Sequence, residues 1–133
     1  MRAVIRSAIT SDATLQSLGV VDSGVLSGDI DTPEPRPFLN LKWGTTTPAP
    51  FGGTAFQDVL TIWVHDEPND YDRINRIIKR LRVLLPSLVG LVDTEELDYV
   101  SQIAWTGDSQ DLKDDGHRTV VRQTSYLING SQS

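Results

Sequence analysis

The sequence predicts an α+β fold, with a mostly antiparallel sheet and helices packed on one of its faces. Three observations support this prediction. One long helical pattern covers about 69–85, alternating apolar patterns lie on both sides of it, and turn-forming residues separate the alternating segments. The length of 133 residues is enough for one domain, 1–133, with a flexible tail expected at about 129–133.

The chain is predicted to begin with short helices. The stretch "RAVIRSAI" has apolar residues at helical spacing, and Ser11 or Asp12 is a suitable N-cap for a second helix, "DATLQSLG". Residues 19–36 are rich in Gly, Asp, Ser and Pro, which predicts a loop with one short strand near "SGDI". The following "TPEPRP" is expected to be extended, because proline disfavours helix in the residue before it.

Two strands are predicted next, joined by a long hairpin loop. The first is "FLNLKW" and the second is "TAFQDVLTIWVH", in which Phe56, Leu60, Ile62 and Val64 share one face. The opposite face is also partly apolar and carries Trp63. One face is therefore expected to pack on helices, and the other to meet a second layer or a partner. The loop between them, 44–53, is either a plain hairpin loop or an arm that orders against a neighbour.

The long helix has recognisable start and stop signals. Asn69 is a suitable N-cap with Asp72 three residues later, and Pro86 disfavours helix at Leu85. The apolar stripe consists of Ile74, Ile77, Ile78, Leu81 and Leu85. After the helix, "LDYVSQIAW" predicts a strand with four residues on one face, namely Leu97, Tyr99, Ile103 and Trp105. An acidic turn, "TGDSQDLKDDGH", then leads to a last strand, "RTVVRQTSYLI".

Composition excludes several classes of protein. The formal net charge of −6 argues against ordinary binding to a phosphate backbone, and the absence of cysteine excludes disulfides and thiolate metal sites. No apolar run approaches the roughly 20 residues of a membrane span, and the first residues are too interrupted for a signal-peptide core. A protein made and kept in a cytoplasm is expected.

No motif predicts catalysis, a metal or a cofactor. His65 with Asp66 and Asp70 is weighed as a metal site or general base, but the chain has two histidines, and a strand-end histidine beside a helix cap is the favoured interpretation. The acidic turn matches a calcium loop poorly, because Lys113 and Arg122 occupy ligand positions. A solvated hairpin tip is favoured there.

The basic residues of the long helix are a second alternative to consider. Five of them lie between positions 73 and 82, a pattern that nucleic-acid binding also uses. No aromatic residue lies among them and the domain is acidic overall, so a solvated helix face is the favoured interpretation.

The order of elements resembles that of the tail terminator (tail completion) proteins of long-tailed bacteriophages. The resemblance covers roughly residues 2–128 and follows "LSGDI", "PFLNLKWG", "FQDVLTIWVHDE", "DYDRINRIIKRLRVLL" and "DDGHRTVVRQTSYLI". It implies a non-enzymatic virion protein, assembled in the bacterial host cytoplasm. Members of the family form six-membered rings that cap the tail tube, stop its polymerisation and offer a surface to the head-side connector. DNA would pass through the ring without specific binding.

The expected partners are therefore a second copy of the chain, the tail tube protein and the head-side connector protein. The candidate interaction surface combines the hairpin loop, the second strand face, the basic helix face and the acidic turn. Its residues are Phe51, Trp63, Arg73, Arg76, Arg80, Asp108, Asp111, Asp114 and Asp115. Another neck component is the nearest alternative function. A small enzyme using His65 or His117 and a nucleic-acid binder using the basic helix face are the others.

Overall fold

The computed structural model describes residues 1–27, 36–48 and 54–132. The helices are α1 (Arg2–Thr10), α2 (Ala13–Ser17) and α3 (Tyr71–Leu84), and 3₁₀ turns lie at Asp22–Gly24 and Leu85–Leu88. The strands are β1 (Val25–Ser27), β2 (Phe38–Trp43), β3 (Thr47–Pro48), β4 (Ala55–Asp66), β5 (Val92–Asp93), β6 (Asp98–Asp108), β7 (Leu112–Asp114) and β8 (Thr119–Gln132). The predicted α+β class is confirmed.

All eight strands belong to one sheet with the order β1-β2-β4-β8-β6-β5. Strand β3 pairs with the beginning of β4, and β7 pairs with the beginning of β8. Only β1 and β2 are parallel among the pairs of the described residues, so the sheet is mostly antiparallel, as predicted. The long β4 and β8 pair from Ala55↔Ser131 to Asp66↔Val120 and form the centre of the sheet.

The helices cover one face of this sheet and enclose the core. The apolar stripe of α3 is fully buried against the inward face of β4, as the period-two pattern of Leu60, Ile62 and Val64 predicts. Ile5 and Ile9 of α1 are buried in the same cluster. None of the described helices combines the length and apolar composition needed to cross a lipid bilayer.

The start of α3 differs from the prediction by one residue. Asp70 is the N-cap, and its carboxylate accepts a hydrogen bond from the backbone N–H of Arg73 at 3.4 Å. Asn69 instead adopts a left-handed conformation with φ of 73°. Asparagine tolerates this conformation better than most residues, which turns the chain from β4 into the helix.

The predicted common face of Leu97, Tyr99, Ile103 and Trp105 is interrupted within β6. Ile103 and Trp105 pair with Ile128 and Tyr126 and share one side, whereas Tyr99 lies before a register shift and faces the other side. Leu97, Tyr99 and Trp105 are 58%, 42% and 46% exposed, whereas Val100 and Ile103 are buried. A register shift between Val100 and Gln102 places an extra residue opposite β8, so the buried positions are three apart. A period of two cannot anticipate such a bulge.

The predicted flexible tail also needs correction. Strand β8 continues to Gln132, because its end lies between two partners: Ser131 is paired with Ala55 of β4 and with Tyr99 of β6. Ser133 lies outside the described residues, as does most of the predicted extended stretch 32–37. The predicted strand near "SGDI" is found slightly earlier, as β1.

Candidate interaction surface

The sheet has a second face that none of the described helices covers. We call it the open face. Along β4 the outward residues are Val59, Thr61, Trp63 and His65, which alternate with the buried core positions. Val59 is 41% exposed and pairs with Leu127 of β8, so apolar side chains reach solvent at the middle of this face. The sequence prediction of two partly apolar faces on this strand is confirmed.

A pocket lies at one end of the open face, where β2, the end of β4, the start of β8 and β7 meet. We call it the sheet-end pocket. It has a volume of about 510 Å³ and is lined by Phe38, Asn40, Lys42, Trp63, His65, Leu112, Lys113, Asp114, Asp115, His117 and Val121. This volume is within the range of small-ligand pockets, so it can hold more than one side chain of a partner.

Stacked rings form the floor of the sheet-end pocket. The rings of Phe38 and His65 are nearly parallel with centroids 4.4 Å apart, and His117 approaches His65 edge-on at 5.6 Å. Nδ1 of His65 is hydrogen-bonded to Oγ1 of Thr119 at 2.8 Å. Burial lowers the pKa of His65 to about 4, so its ring is neutral at pH 7. Phe38 and His65 therefore present an uncharged aromatic surface at pH 7.

The rim of the pocket is charged. Nζ of Lys42 lies 5.6 Å from the ring centroid of Trp63, and Lys113 is exposed at the other side. Asp114 accepts a hydrogen bond from the backbone of His117 at 3.1 Å and contacts its Nδ1 at 2.7 Å. Burial raises the pKa of Asp114, but these hydrogen bonds outweigh it and the net pKa is lowered. Asp114 is therefore an internally paired carboxylate.

The side-chain amide of Asn40 is an unusual feature of this pocket. Asn40 is 92% buried, and its Oδ1 has no hydrogen-bond partner among the described residues. A buried polar atom without a partner costs roughly 1–3 kcal/mol and calls for an explanation. The oxygen is enclosed by protein atoms, so a partner in the pocket does not reach it.

The structure brings three of the predicted interaction residues together in this pocket. They are Trp63, Asp114 and Asp115. Asp111 is exposed nearby and lies 3.6 Å from Nε of Arg122. Phe51 lies outside the described residues.

The predicted basic helix face is largely used inside the molecule. Nε of Arg73 donates to Asp66 at 2.6 Å, and Asp66 is fully buried. The guanidinium of Arg80 makes two hydrogen bonds with Asp12, at 2.9 and 2.7 Å. These arginines attach α3 to β4 and to the start of α2, so they are not free to bind a partner.

The other two predicted charges have different surroundings. Arg76 is exposed and pairs with Asp72 one turn earlier at 2.9 Å. Asp108 has a side chain only 5% exposed, where it pairs with Arg82 and accepts a hydrogen bond from Nε1 of Trp105 at 2.9 Å. Burial raises the pKa of Asp108, but hydrogen bonds from Thr124, Trp105 and Arg82 outweigh it and lower the pKa. Asp108 is thus a structural carboxylate.

Sequence reasoning missed Phe38, Lys42 and Lys113 as parts of one site. They come from β2 and β7, which are far apart in the sequence and meet only through β4 and β8. The sequence did offer one indication. Lys42 on β2 and Trp63 on β4 both alternate with core residues of their strands, and on neighbouring strands they face the same side of the sheet.

The structure separates the His65–Asp66 pair that the sequence offers as a candidate for chemistry. His65 and Asp66, considered together in the sequence, point to opposite faces of the sheet, where they contact Thr119 and Arg73. Carboxylates of Asp93, Glu96 and Asp98 do lie close together, but the amino group of Met1 sits among them, 2.5 Å from Asp93 and 3.3 Å from Asp98. This cluster is an ion-pair network around the start of α1.

Comparison with known proteins gives a likeness of fold. No protein-family model and no curated protein matches the chain. A chain from a solved structure described as "Virion of native gene transfer agent (GTA) particle" is similar to it, with a TM-score of 0.70 and 12% sequence identity. The likeness covers 98% of this chain and 94% of that chain. The two chains therefore share the whole fold, including the sheet that carries the open face.

Proposed function

We propose that the protein is a structural component of a phage-like virion, and specifically a tail terminator that forms a ring on the end of the tail tube. The single observation that supports this most strongly is the likeness of fold, over nearly the full length of both chains, to a protein of a virion particle. The resemblance of the sequence to tail terminators gives the finer assignment.

The surfaces of the molecule agree with a role in assembly. The open face exposes Val59 and half-exposes Trp63, which are contacts that a neighbouring subunit covers. The net charge of −6 allows DNA to pass through a ring without binding to it. The ring would cap the tube protein on one side and meet the head-side connector protein on the other.

The proposal includes the absence of an enzymatic role. The two histidines of the chain, His65 and His117, are both hydrogen-bonded to neighbouring residues, Thr119 and Asp114. A double variant, His65→Gln with His117→Gln, is expected to support virion assembly in proportion to the rings it forms, because both histidines line the sheet-end pocket and act there by packing alone. Loss of assembly by a variant that still folds and still forms rings would favour a chemical role.

Ring formation is tested by light scattering and electron microscopy of the purified protein, alone and with tail tubes. We expect a monomer at low concentration and a six-membered ring at high concentration or on tube ends. A protein that stays monomeric at every concentration and never decorates tube ends would contradict the proposal.

A second virion role, that of another head–tail connector component, fits the same fold likeness. The two roles differ in their partners. A pull-down that compares tube protein with portal-side proteins separates them, because a terminator retains the tube protein and a portal-side component does not.

A further inference from the structure

The rim of the sheet-end pocket carries two lysines and two aspartates. The chain has three lysines, and two of them, Lys42 and Lys113, lie at this pocket. Neither has a carboxylate within ion-pair distance among the described residues. The two ammonium groups therefore favour an acidic partner at this pocket.

A turn at the opposite end of the sheet has the complementary chemistry. Residues 94–97, which we call the 94–97 turn, join β5 to β6 and are all exposed. Glu95 and Glu96 are acidic, but Glu96 pairs with the amino group of Met1 at 3.2 Å, so Glu95 is the carboxylate that can meet a partner. Leu97 beside them is 58% exposed with a φ of 59°. A leucine in this left-handed conformation is strained. The fold therefore holds an apolar side chain in solvent between acidic neighbours, at an energetic cost.

The position of the two features determines what kind of assembly they can make. Tyr99, next to the turn, shares a register position with Ser131 and Ala55, whereas the pocket surrounds His65 at the other end of β4. Ten residues of strand separate Ala55 from His65, about 33 Å at 3.3 Å per residue. The turn cannot reach the pocket of its own chain. A contact between them is head-to-tail, which is the type of contact that closes into rings.

We propose that the 94–97 turn of one copy inserts into the sheet-end pocket of the next copy, with Leu97 against the aromatic floor and Glu95 beside Lys42 and Lys113. This inference rests on the proposed ring-forming function and names the contact that builds the ring. The occupant is a second copy because the same chain carries both an exposed turn with an acidic and an apolar side chain and a pocket with two lysines and an aromatic floor.

One residue of the rim opposes the contact. Asp115 is exposed at the pocket and carries the same charge as the glutamates. Asp114 is not expected to oppose the contact in the same way, because His117 already pairs with its carboxylate. Replacement Asp115→Asn is therefore expected to strengthen association, and Asp115→Ala gives the same direction without a new amide. Weaker association in both variants would contradict this arrangement of the rim.

Cysteine cross-linking tests the contact directly, because the natural chain has no cysteine. Single variants Leu97→Cys and Lys113→Cys are mixed under oxidising conditions on tube ends or at ring-forming concentration. We expect a disulfide-linked dimer, and we expect a double variant to give a ladder of higher species. The matched control is Lys79→Cys, on the exposed side of α3, which is expected to give no link with Leu97→Cys.

Charge reversal tests the same contact in solution. Lys113→Glu is expected to weaken association about tenfold, and adding Glu95→Lys to it is expected to restore most of the affinity. Lys79→Glu makes the same change of net charge away from the pocket and is expected to have little effect. Equal weakening by Lys113→Glu and Lys79→Glu would show an effect of net charge alone and overturn the proposed contact.

A third variant keeps the test independent of folding. Leu97→Asn retains a residue that tolerates the left-handed turn but removes the apolar anchor. The monomer is expected to be at least as stable as wild type, while association falls about tenfold or more. Rings that form normally in all these variants and give no cross-link would overturn the contact and leave the tail-terminator function in place. Absence of any ring under every condition would overturn both.

Discussion

Individual ion pairs of this protein differ greatly in their surroundings, and their contributions to stability should differ accordingly. Arg73 and Arg76 are three residues apart on α3, and both contact aspartates. The partner of Arg73 is the fully buried Asp66, whereas Arg76 and its partner Asp72 are exposed. Removing one member of a buried pair leaves an uncompensated charge, while exposed pairs contribute little.

We predict that Arg73→Met lowers the free energy of unfolding by about 3 kcal/mol, since the buried carboxylate of Asp66 loses its partner. The same replacement at Arg76 is expected to cost no more than about 0.5 kcal/mol. Urea unfolding followed by circular dichroism measures both. Adding Asp66→Asn to Arg73→Met should recover part of the loss. Equal destabilisation by the two single variants would contradict the prediction.

The buried imidazole of His65 predicts a pH dependence of stability. Its pKa is lowered by burial from 6.5 to about 4 in the folded protein. Between these values the unfolded chain binds a proton that the folded protein does not bind, so stability falls as the pH is lowered from about 6.5 to about 4. The loss is on the order of 3 kcal/mol when complete.

Urea midpoints between pH 7.5 and 4.5 measure this effect. The difference between wild type and His65→Gln isolates the contribution of His65, because other titrating groups are common to both. Lowered carboxylate pKa values, as at Asp12 and Asp114, act mainly below pH 3.8 and do not interfere. A variant that loses as much stability as wild type over this interval would refute the assignment.

Much of the candidate site could not be predicted at the residue scale. The acidic turn and the outward position of Trp63 were readable from the sequence, and the structure places Trp63, Asp114 and Asp115 at one pocket. The partners of Arg73, Arg80 and their neighbours were not readable, because ion pairs such as Arg80–Asp12 join residues far apart in the chain.

At the scale of elements, the sequence predicted the pattern of β4 and α3 well, because each is long and strongly periodic. It failed at β6, whose bulges shift the buried positions, and at the end of β8. Those features depend on pairing with strands that are distant in sequence. Residues 129–132 have low intrinsic preference for strand, and pairing with neighbouring strands determines their structure.

The end of β8 predicts a second difference in stability. A Cβ at Gly130 would lie 2.8 Å from the carbonyl oxygen of Tyr99 and 2.6 Å from Cε of Met1. The backbone atom cannot move aside without disturbing the pairing of β6 with β8. We predict that Gly130→Ala lowers the free energy of unfolding by about 1–3 kcal/mol.

The matched control for this change is Gly116→Ala. Its Cβ would meet only the Asp114 carboxylate at 3.3 Å, and the backbone there does not have a positive φ. Little change in the thermal midpoint is expected for Gly116→Ala and a clear drop for Gly130→Ala. If Gly130→Ala keeps the wild-type thermal midpoint, then β4, β6 and β8 leave room for a methyl group at this end of the sheet.

At the scale of the whole molecule, the helix-covered face and the open face of the sheet have different roles. The first encloses the core and gives the monomer its stability, and its arginines attach α3 to the sheet and to the first helices. The open face presents apolar and charged side chains to solvent, among them Val59, Lys42 and Lys113. The proposed virion role would need no reactive group in this arrangement, because shape and packing would supply the activity.

This division predicts that stability depends on protein concentration. A ring that forms only from folded subunits stabilises the folded state by mass action, so the thermal midpoint of wild type should rise with concentration. Leu97→Asn should match or exceed the wild-type midpoint at the lowest concentration, because the monomer keeps its core, and should then stay nearly constant. Differential scanning fluorimetry over a hundredfold range of concentration measures both. Parallel slopes for the two proteins would mean that association proceeds without the 94–97 turn, and two flat lines would mean that folding and assembly are not linked.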